Sequence, residues 1–218
     1  MSEIIILANS RKYHGRCVAG IDLKTGKWVR PISISDHEEV PESVAADFNL
    51  LDIVEIPLTI KQEKYTEFQR ENWYYDENLT WNKMAEADAQ DVKKYLESDL
   101  FYGHSREASP EYFRSINEYE WKSLQLLERF VTFKYQEFIN DPEDIDESVT
   151  AIFSEKNETI FLKSTDILLN ENVKKTKKLF DSNVTGNYLI TVSTTPPFVP
   201  KGKTALACYK LVAGAIKL

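Results

Sequence analysis

The sequence predicts a mainly β protein with interposed helices (α+β), built as two small β-barrels in tandem. Short runs of alternating apolar and polar residues, separated by turn signals, occur in both halves of the chain, and each half also contains a helix-like stretch. Aromatic residues make up 12% of the chain, which favours strands because these side chains suit a pleated, half-buried surface. A length of 218 residues allows one large domain or two small ones, so a single larger β-sandwich is the competing interpretation.

The first half is predicted to form four strands followed by a helix. Residues 3–33 predict three strands, and the polar, basic residues Ser10–Lys12 are expected to form the loop between the first two. Leu50–Leu58 follows as a fourth strand that Pro57 places at an edge or an end. Apolar residues three to four apart then predict a helix over Asn82–Leu100.

The second half is predicted to form strands around one basic helix. The predicted strands are Ser123–Phe138, Val149–Phe153, Thr159–Lys163, Tyr188–Ser193 and Ala205–Ile216, and the helix covers Asp166–Phe180. We place the boundary near Glu120. Residues 1–120 would then form the first barrel with a helical and aromatic insertion, and 121–218 the second.

The chain is acidic overall, but its first 33 residues, called the basic front below, are net basic. A net charge of -8 argues against a protein that coats nucleic acid or a membrane with its whole surface. Met1–Ser33 nevertheless contains six Lys or Arg residues against two acids. No run approaches the ~18 apolar residues of a membrane span, and the start lacks the features of a signal peptide. We therefore expect a cytoplasmic, bacterial protein with no membrane partner, in which Cys17 and Cys208 are buried thiols.

The basic front offers the residue types that bind single-stranded nucleic acid. Such binding combines cations along the backbone with aromatic side chains on which bases stack. The candidate nucleic-acid-binding residues are Ser10, Arg11, Lys12, Arg16, Trp28 and Arg30. Trp28 and Arg30 fall on one face of the third strand, and Arg11 with Lys12 could hold a phosphate. The alternatives are that Trp28 fills a barrel core, that Arg30 pairs with Asp52 or Glu55, and that the loop is merely solvated.

A second candidate site lies in the aromatic connection after the fourth strand. Gln69, Glu71 and Asn72 beside Trp73 could read the edge of a base or nucleotide ring, because amides offer paired donors and acceptors. A set of turn caps explains the same residues. The lysines of Lys174–Lys178 could bind phosphates, although a run of like charge is more commonly a solvated helix face.

The sequence contains no catalytic motif. His14, His37 and His104 lie in separate polar segments without metal-ligand spacing. A nucleophile elbow, a phosphate-binding loop and a Gly-rich dinucleotide loop are all missing from the sequence. We therefore expect no metal, no cofactor and no enzymatic activity.

Short motifs along the chain match the pattern of a known family. They are Ser10-Arg11-Lys12, Arg16-Cys17-Val18-Ala19-Gly20, Gly26-Lys27-Trp28-Val29-Arg30-Pro31, Gln69-Arg70-Glu71-Asn72, Thr191-Val192-Ser193 and Cys208-Tyr209-Lys210-Leu211-Val212-Ala213-Gly214. Together they resemble the prokaryotic dual OB-containing domain family, which is largely uncharacterised. The resemblance implies two OB-like barrels in tandem and, by analogy with other OB-folds, nucleic-acid binding. Thr194–Phe198 departs from the family pattern, which has a Leu-Gly pair there.

These observations favour a non-enzymatic binding module for single-stranded nucleic acid. Arg11, Lys12, Arg16 and Arg30 would contact phosphates, and Trp28 would stack on a base. One alternative is a sensor that binds a nucleotide or another small ligand between the barrels, with Gln69 and Asn72 reading the ring. The other is a protein-interaction adaptor whose basic strands meet an acidic partner.

Overall fold

The computed structural model describes residues 1–35, 37–61, 68–103, 105–108, 122–141, 144–180, 183–199 and 203–218. Within these residues, strands dominate and fall into two sheets, with three α-helices interposed. The predicted class is therefore confirmed. None of the helices in the described ranges combines the length and the apolar character that crossing a membrane requires.

The first sheet is an open half-barrel of seven strands. Its strands are β1 (Ser2–Lys12), β2 (Gly15–Asp22), β3 (Trp28–Ile32), β4 (Asp52–Ile56), β5 (Leu58–Lys61), β6 (Asn72–Tyr75) and β7 (Asn82–Glu86), in the order β5-β6-β3-β2-β1-β4-β7. Helix α1 (Glu42–Ala45) precedes β4, and helix α2 (Ala89–Val92) with a 3₁₀ turn (Lys93–Tyr95) follows β7. The core of this sheet centres on Ile4, Ile6, Val54 and Ile56.

Pro57 separates strands β4 and β5 of the half-barrel. There, the fourth predicted strand divides into β4, which pairs with β1, and β5, which pairs with β6. Proline lacks the N–H that would continue a ladder, so the chain bends. The Pro57 carbonyl accepts a hydrogen bond from Asp76 N at 2.9 Å. The expectation that Pro57 ends a strand is confirmed.

The second sheet has six strands, and all of them except the first in chain order close into a ring of five. Its strands are β8 (Glu107–Ala108), β9 (Leu124–Asp141), β10 (Asp144–Glu155), β11 (Glu158–Ser164), β12 (Val184–Thr194) and β13 (Cys208–Lys217), in the order β11-β10-β9-β12-β13-β8. The ring closes because β11 also pairs in parallel with β13, through Lys163 with Leu211 and Ser164 with Val212. Helix α3 (Ile167–Phe180) connects the third and fourth strands of the ring and packs Leu169 and Val173 into its core.

Two predicted elements are wrong. Ser10–Lys12 is the end of β1 and not a loop, because Lys12 pairs with Gly15 and leaves a two-residue turn. Asn82–Leu100 is a strand, a short helix and a 3₁₀ turn, because β7 pairs with the free edge of β4. Tertiary pairing overrides the helical spacing here. The boundary near Glu120 lies outside the described residues and stays a prediction.

Strand β1 packs directly against the second barrel. Thr191 Oγ1 donates a hydrogen bond to the Leu7 carbonyl at 2.6 Å. Gly214, which pairs with Thr191, lies so close that an added Cβ would stand 2.2 Å from the same oxygen. Ile5 and Leu7 pack with Leu126 and Leu189 in one apolar cluster that spans both sheets. Glycine at position 214 is therefore required by the close approach of the two barrels.

We expect Gly214→Ala to lower the free energy of unfolding by at least about 2 kcal/mol, because the methyl group must push β1 away from β13. Urea unfolding of the full chain measures this. Gly186→Ala is the matched control, since a Cβ there would meet only ordinary contacts at 3.5 Å. Equal stability of the two variants would contradict the close approach.

Candidate functional site

Three of the predicted pocket residues form a buried polar network with Arg30 between the barrels. The Arg30 guanidinium lies 2.8 Å from Glu71 Oε1 and donates to Ser193 Oγ of the second barrel at 3.2 Å. Longer contacts run from Arg30 to Asn72 Oδ1 at 3.5 Å and to Ser123 Oγ at 3.4 Å. Gln69 joins the network by accepting from Asn72 Nδ2 at 3.4 Å, and it donates to the Thr194 carbonyl at 3.0 Å. The network thus ties the two barrels together.

This network gives Arg30 a structural role. Its side chain is 1% exposed, so the guanidinium has no surface that a phosphate could contact. Its partner is Glu71, and not Asp52 or Glu55 as the alternative interpretation supposed.

Trp28, on the same face of β3, is half-buried among apolar residues of both barrels, and Trp73 packs on the first core. Neither tryptophan forms an open stacking platform with Arg30.

Three other candidate cations, Arg11, Lys12 and Arg16, face acidic residues from the segment before β4. Arg16 donates to Glu42 Oε2 at 2.7 Å and makes a second, shorter hydrogen bond to Oε1. Arg11 and Lys12 lie near Glu42 and Glu38, at 4.0 Å and 3.9 Å. The hydrogen bond from Arg16 holds the pKa of the Glu42 carboxyl below its usual value. Glu38 and Glu42 therefore offset part of the charge excess in the first 33 residues, a pairing that the sequence reasoning did not make.

A cavity of about 420 Å³ opens between the barrels beside these residues. Ser10, Arg11 and Lys12 line it from the first barrel, and Thr194 and the connection between β12 and β13 line it from the second. The rings of Tyr13 and His37 stack at its wall, with centroids 4.1 Å apart. Cys17, predicted to be buried, is only partly so and also lines the cavity, whereas Cys208 is buried as expected.

The outer face of the second barrel is the other distinctive surface. Phe130 on β9 is 65% exposed and Phe161 on β11 is 55% exposed. Both side chains point outward, because the intervening residues of each strand fill the barrel core. Lys134 and Lys163 share this face and form no ion pair with any described residue. Sequence reasoning missed this face, since the strand alternation was visible but the pairing of β9 with β10 and β11 was not.

The order of the ring strands and the position of α3 agree with a five-stranded OB barrel. The sequence profile of the dual OB-containing domain matches residues 2–215. The chain belongs to this family. No curated protein and no solved structure matches it at a significant level. The prediction of two OB-like barrels is thereby confirmed, and a dual OB domain indicates a binding module.

Other candidate residues of this dual OB protein do not come together as a site. Lys174 contacts Glu147, while Lys175 is exposed on α3, as expected of a solvated helix face. Among the described side chains, no group of three or more His, Cys, Asp or Glu residues is placed to hold a metal ion. His104 lies outside the described residues.

One buried cation was not expected. Lys210 on β13 is 1% exposed and donates to the carbonyl oxygens of Tyr102 at 3.1 Å and Gly103 at 2.5 Å. Burial away from water lowers the pKa of Lys210 to about 8. The dual OB fold therefore carries a charge at neutral pH that its interior disfavours.

The Arg30–Glu71 pair gives a first prediction for the site. Arg30→Met should cost about 3 kcal/mol of unfolding free energy or more, because Glu71 is left charged and buried. Urea unfolding should also show that Arg30→Met/Glu71→Met costs less than the sum of the two single variants. Strict additivity would show that the two side chains do not act as a pair.

Lys210 gives a prediction on pH. Because its pKa is about 8 in the folded protein and 10.5 ordinarily, the unfolded chain binds more protons between these values, and stability rises with pH in that window. The unfolding free energy of wild type relative to Lys210→Met should rise by about 3 kcal/mol from pH 7 to pH 10.5. Lys175→Met, at an exposed position, should show no such trend. A flat difference for Lys210→Met would refute the burial of its charge.

Proposed function

We propose that this dual OB protein binds single-stranded nucleic acid across the outer face of its second barrel, as a binding module without a catalytic role. The observation that supports this most directly is the composition of the face. It carries two exposed phenylalanines and two lysines, and no acidic residue among its described outward side chains within 130–136, 148–154 and 159–163. Glu128, the outward residue of β9 that precedes Phe130, marks the edge of this face and pairs with Lys93 at 3.3 Å.

The strand register places the aromatic residues close together. Phe161 pairs with Ile152, and Ile152 pairs with Thr132, two residues along β9 from Phe130. The two phenylalanines therefore lie diagonally across Ile152, roughly 12 Å apart by ordinary strand spacing. Each ring can stack on a different base, and stacking contributes ~1–3 kcal/mol per base.

The lysines form a neighbouring row. Lys134 and Lys163 both pair with Thr150, from opposite sides of β10. A row of cations beside a row of aromatic and apolar side chains is the arrangement that a single strand needs, with phosphates on one side and bases on the other. Lys163 also lines a cleft of about 380 Å³, but Glu147 and Glu171 line it too, so the proposed strand path is confined to the outer face of β9, β10 and β11.

Fluorescence anisotropy with a labelled random-sequence single strand at two salt concentrations tests the proposal. Phe130→Ala/Phe161→Ala should weaken binding by tenfold or more, by about 1 kcal/mol or more per lost stack. Lys134→Gln/Lys163→Gln should reduce the magnitude of the slope of log K against log salt by about 1.4, because each of the two lost phosphate contacts contributes about 0.7. Affinity for the wild type should increase as the strand grows from two to about ten bases.

The four substituted side chains, those of Phe130, Lys134, Phe161 and Lys163, are exposed, so exposed lysines elsewhere are matched controls for the lysine variant. Lys24→Gln/Lys175→Gln removes two exposed lysines elsewhere and should leave the salt slope nearly unchanged. The proposal fails if wild type does not bind a strand at low salt, or if the aromatic variant binds as well as wild type.

A further inference from the structure

We propose that the cavity between the barrels is a separate binding site for a small ligand that carries both an anionic group and an aromatic ring, of the class of nucleoside monophosphates. Its lining shares no residue with the phenylalanines and lysines of the outer face. At about 420 Å³ it falls within the range of small-molecule pockets. The site therefore stands or falls independently of strand binding on the second barrel.

A buried hydroxyl at this cavity lacks a partner. Thr194 is 2% exposed, and its Oγ1 is buried without a hydrogen bond from any described group. The neighbouring polar groups are already engaged: Gln69 donates to the Thr194 carbonyl, and Thr195 Oγ1 accepts from Tyr209 N at 3.0 Å. An unpaired buried hydroxyl costs free energy, which a ligand hydroxyl or phosphate oxygen recovers on binding.

Two cations on the cavity wall are only loosely paired. Lys12 Nζ lies 3.9 Å from Glu38, and Arg11 lies 4.0 Å from Glu42, which Arg16 holds much more closely. Burial also lowers the pKa of Lys12, so its charge is poorly solvated in the empty site. A phosphate with two negative charges can compete for this ammonium with the Glu38 carboxylate, which lies at 3.9 Å, and with the nearby Glu39.

The stacked rings of Tyr13 and His37 on the cavity wall offer a surface on which the ring of the ligand can stack. Tyr13 and His37 stack with an interplanar angle of 23°, beside the proline-rich segment that contains Phe198. Tyr13 has φ 50°, and Glu38, next to His37, has φ 58°. A positive φ is the ordinary conformation of a two-residue hairpin turn, so the β1–β2 turn fixes where the Tyr13 ring stands. A heterocycle that stacks on this pair would place its phosphate towards Lys12 and Arg11.

Isothermal titration calorimetry with the 5′-monophosphates of adenosine, guanosine, cytidine and uridine tests this site. We expect at least one to form a one-to-one complex with a dissociation constant below about 1 mM, and its nucleoside to bind more weakly. Lys12→Gln should weaken the complex by about tenfold or more, through loss of a charge-assisted contact. Thr194→Val should weaken it about three- to tenfold, and its melting temperature should equal or exceed that of wild type.

Three variants serve as controls. Lys175→Gln and Thr185→Val change exposed residues away from the cavity and should leave the affinity unchanged. Phe130→Ala/Phe161→Ala should also leave it unchanged, which separates this site from the strand-binding face.

A free monophosphate and the phosphorylated end of a strand share the same chemistry. A 5′-phosphorylated dinucleotide that binds more tightly than the monophosphate assigns the site to strand ends, and the reverse order assigns it to free nucleotides. The proposal is overturned if none of the four monophosphates binds, or if binding is the same in wild type, Lys12→Gln and Thr194→Val.

Discussion

The close approach of β1 to the second barrel is the constraint on which the rest of the structure depends. The Leu7 carbonyl accepts the Thr191 hydroxyl and stands over Gly214, where no side chain would fit. Because β1 is also a central strand of the first sheet, this contact fixes the position of one barrel against the other. The buried Arg30–Glu71 pair and the cavity beside Lys12 both lie at the interface that this contact creates.

The polar contacts between the barrels fix the orientation of one barrel against the other more than they raise the free energy of unfolding. Burying Arg30 and Glu71 removes two charges from water, and the attraction between them mainly offsets that cost. Hydrogen bonds from Arg30 to Ser193 and from Gln69 to Thr194 require one register. The cavity between the barrels keeps its shape only in this register, because its walls come from both barrels.

The distribution of charge separates the two surfaces that bear on function. At the basic front, Glu38 and Glu42 face Arg11, Lys12 and Arg16, so these cations do not form an open groove. On the outer face of the second barrel, Lys134 and Lys163 form no ion pair with any described residue, and the acids nearest Lys163 are Glu147 and Glu171 in the adjoining cleft. The proposed binding of a flexible polyanion rests on the exposed phenylalanines and on lysines without an ion pair among the described residues, and the proposed binding of a small anion rests on the concave front.

The sequence by itself determined the elements that short-range patterns control. The hairpins β2–β3 and β10–β11, the long strand β9 and helix α3 follow from alternation, turn residues and helical spacing within each segment. Family motifs also indicated two OB-like barrels. Only the tertiary structure decided whether Asn82–Glu86 is a strand, because that depends on the free edge of β4. It also decided that Arg30 meets Glu71 and that Phe130 and Phe161 share a face, since both depend on pairings between residues far apart in the chain.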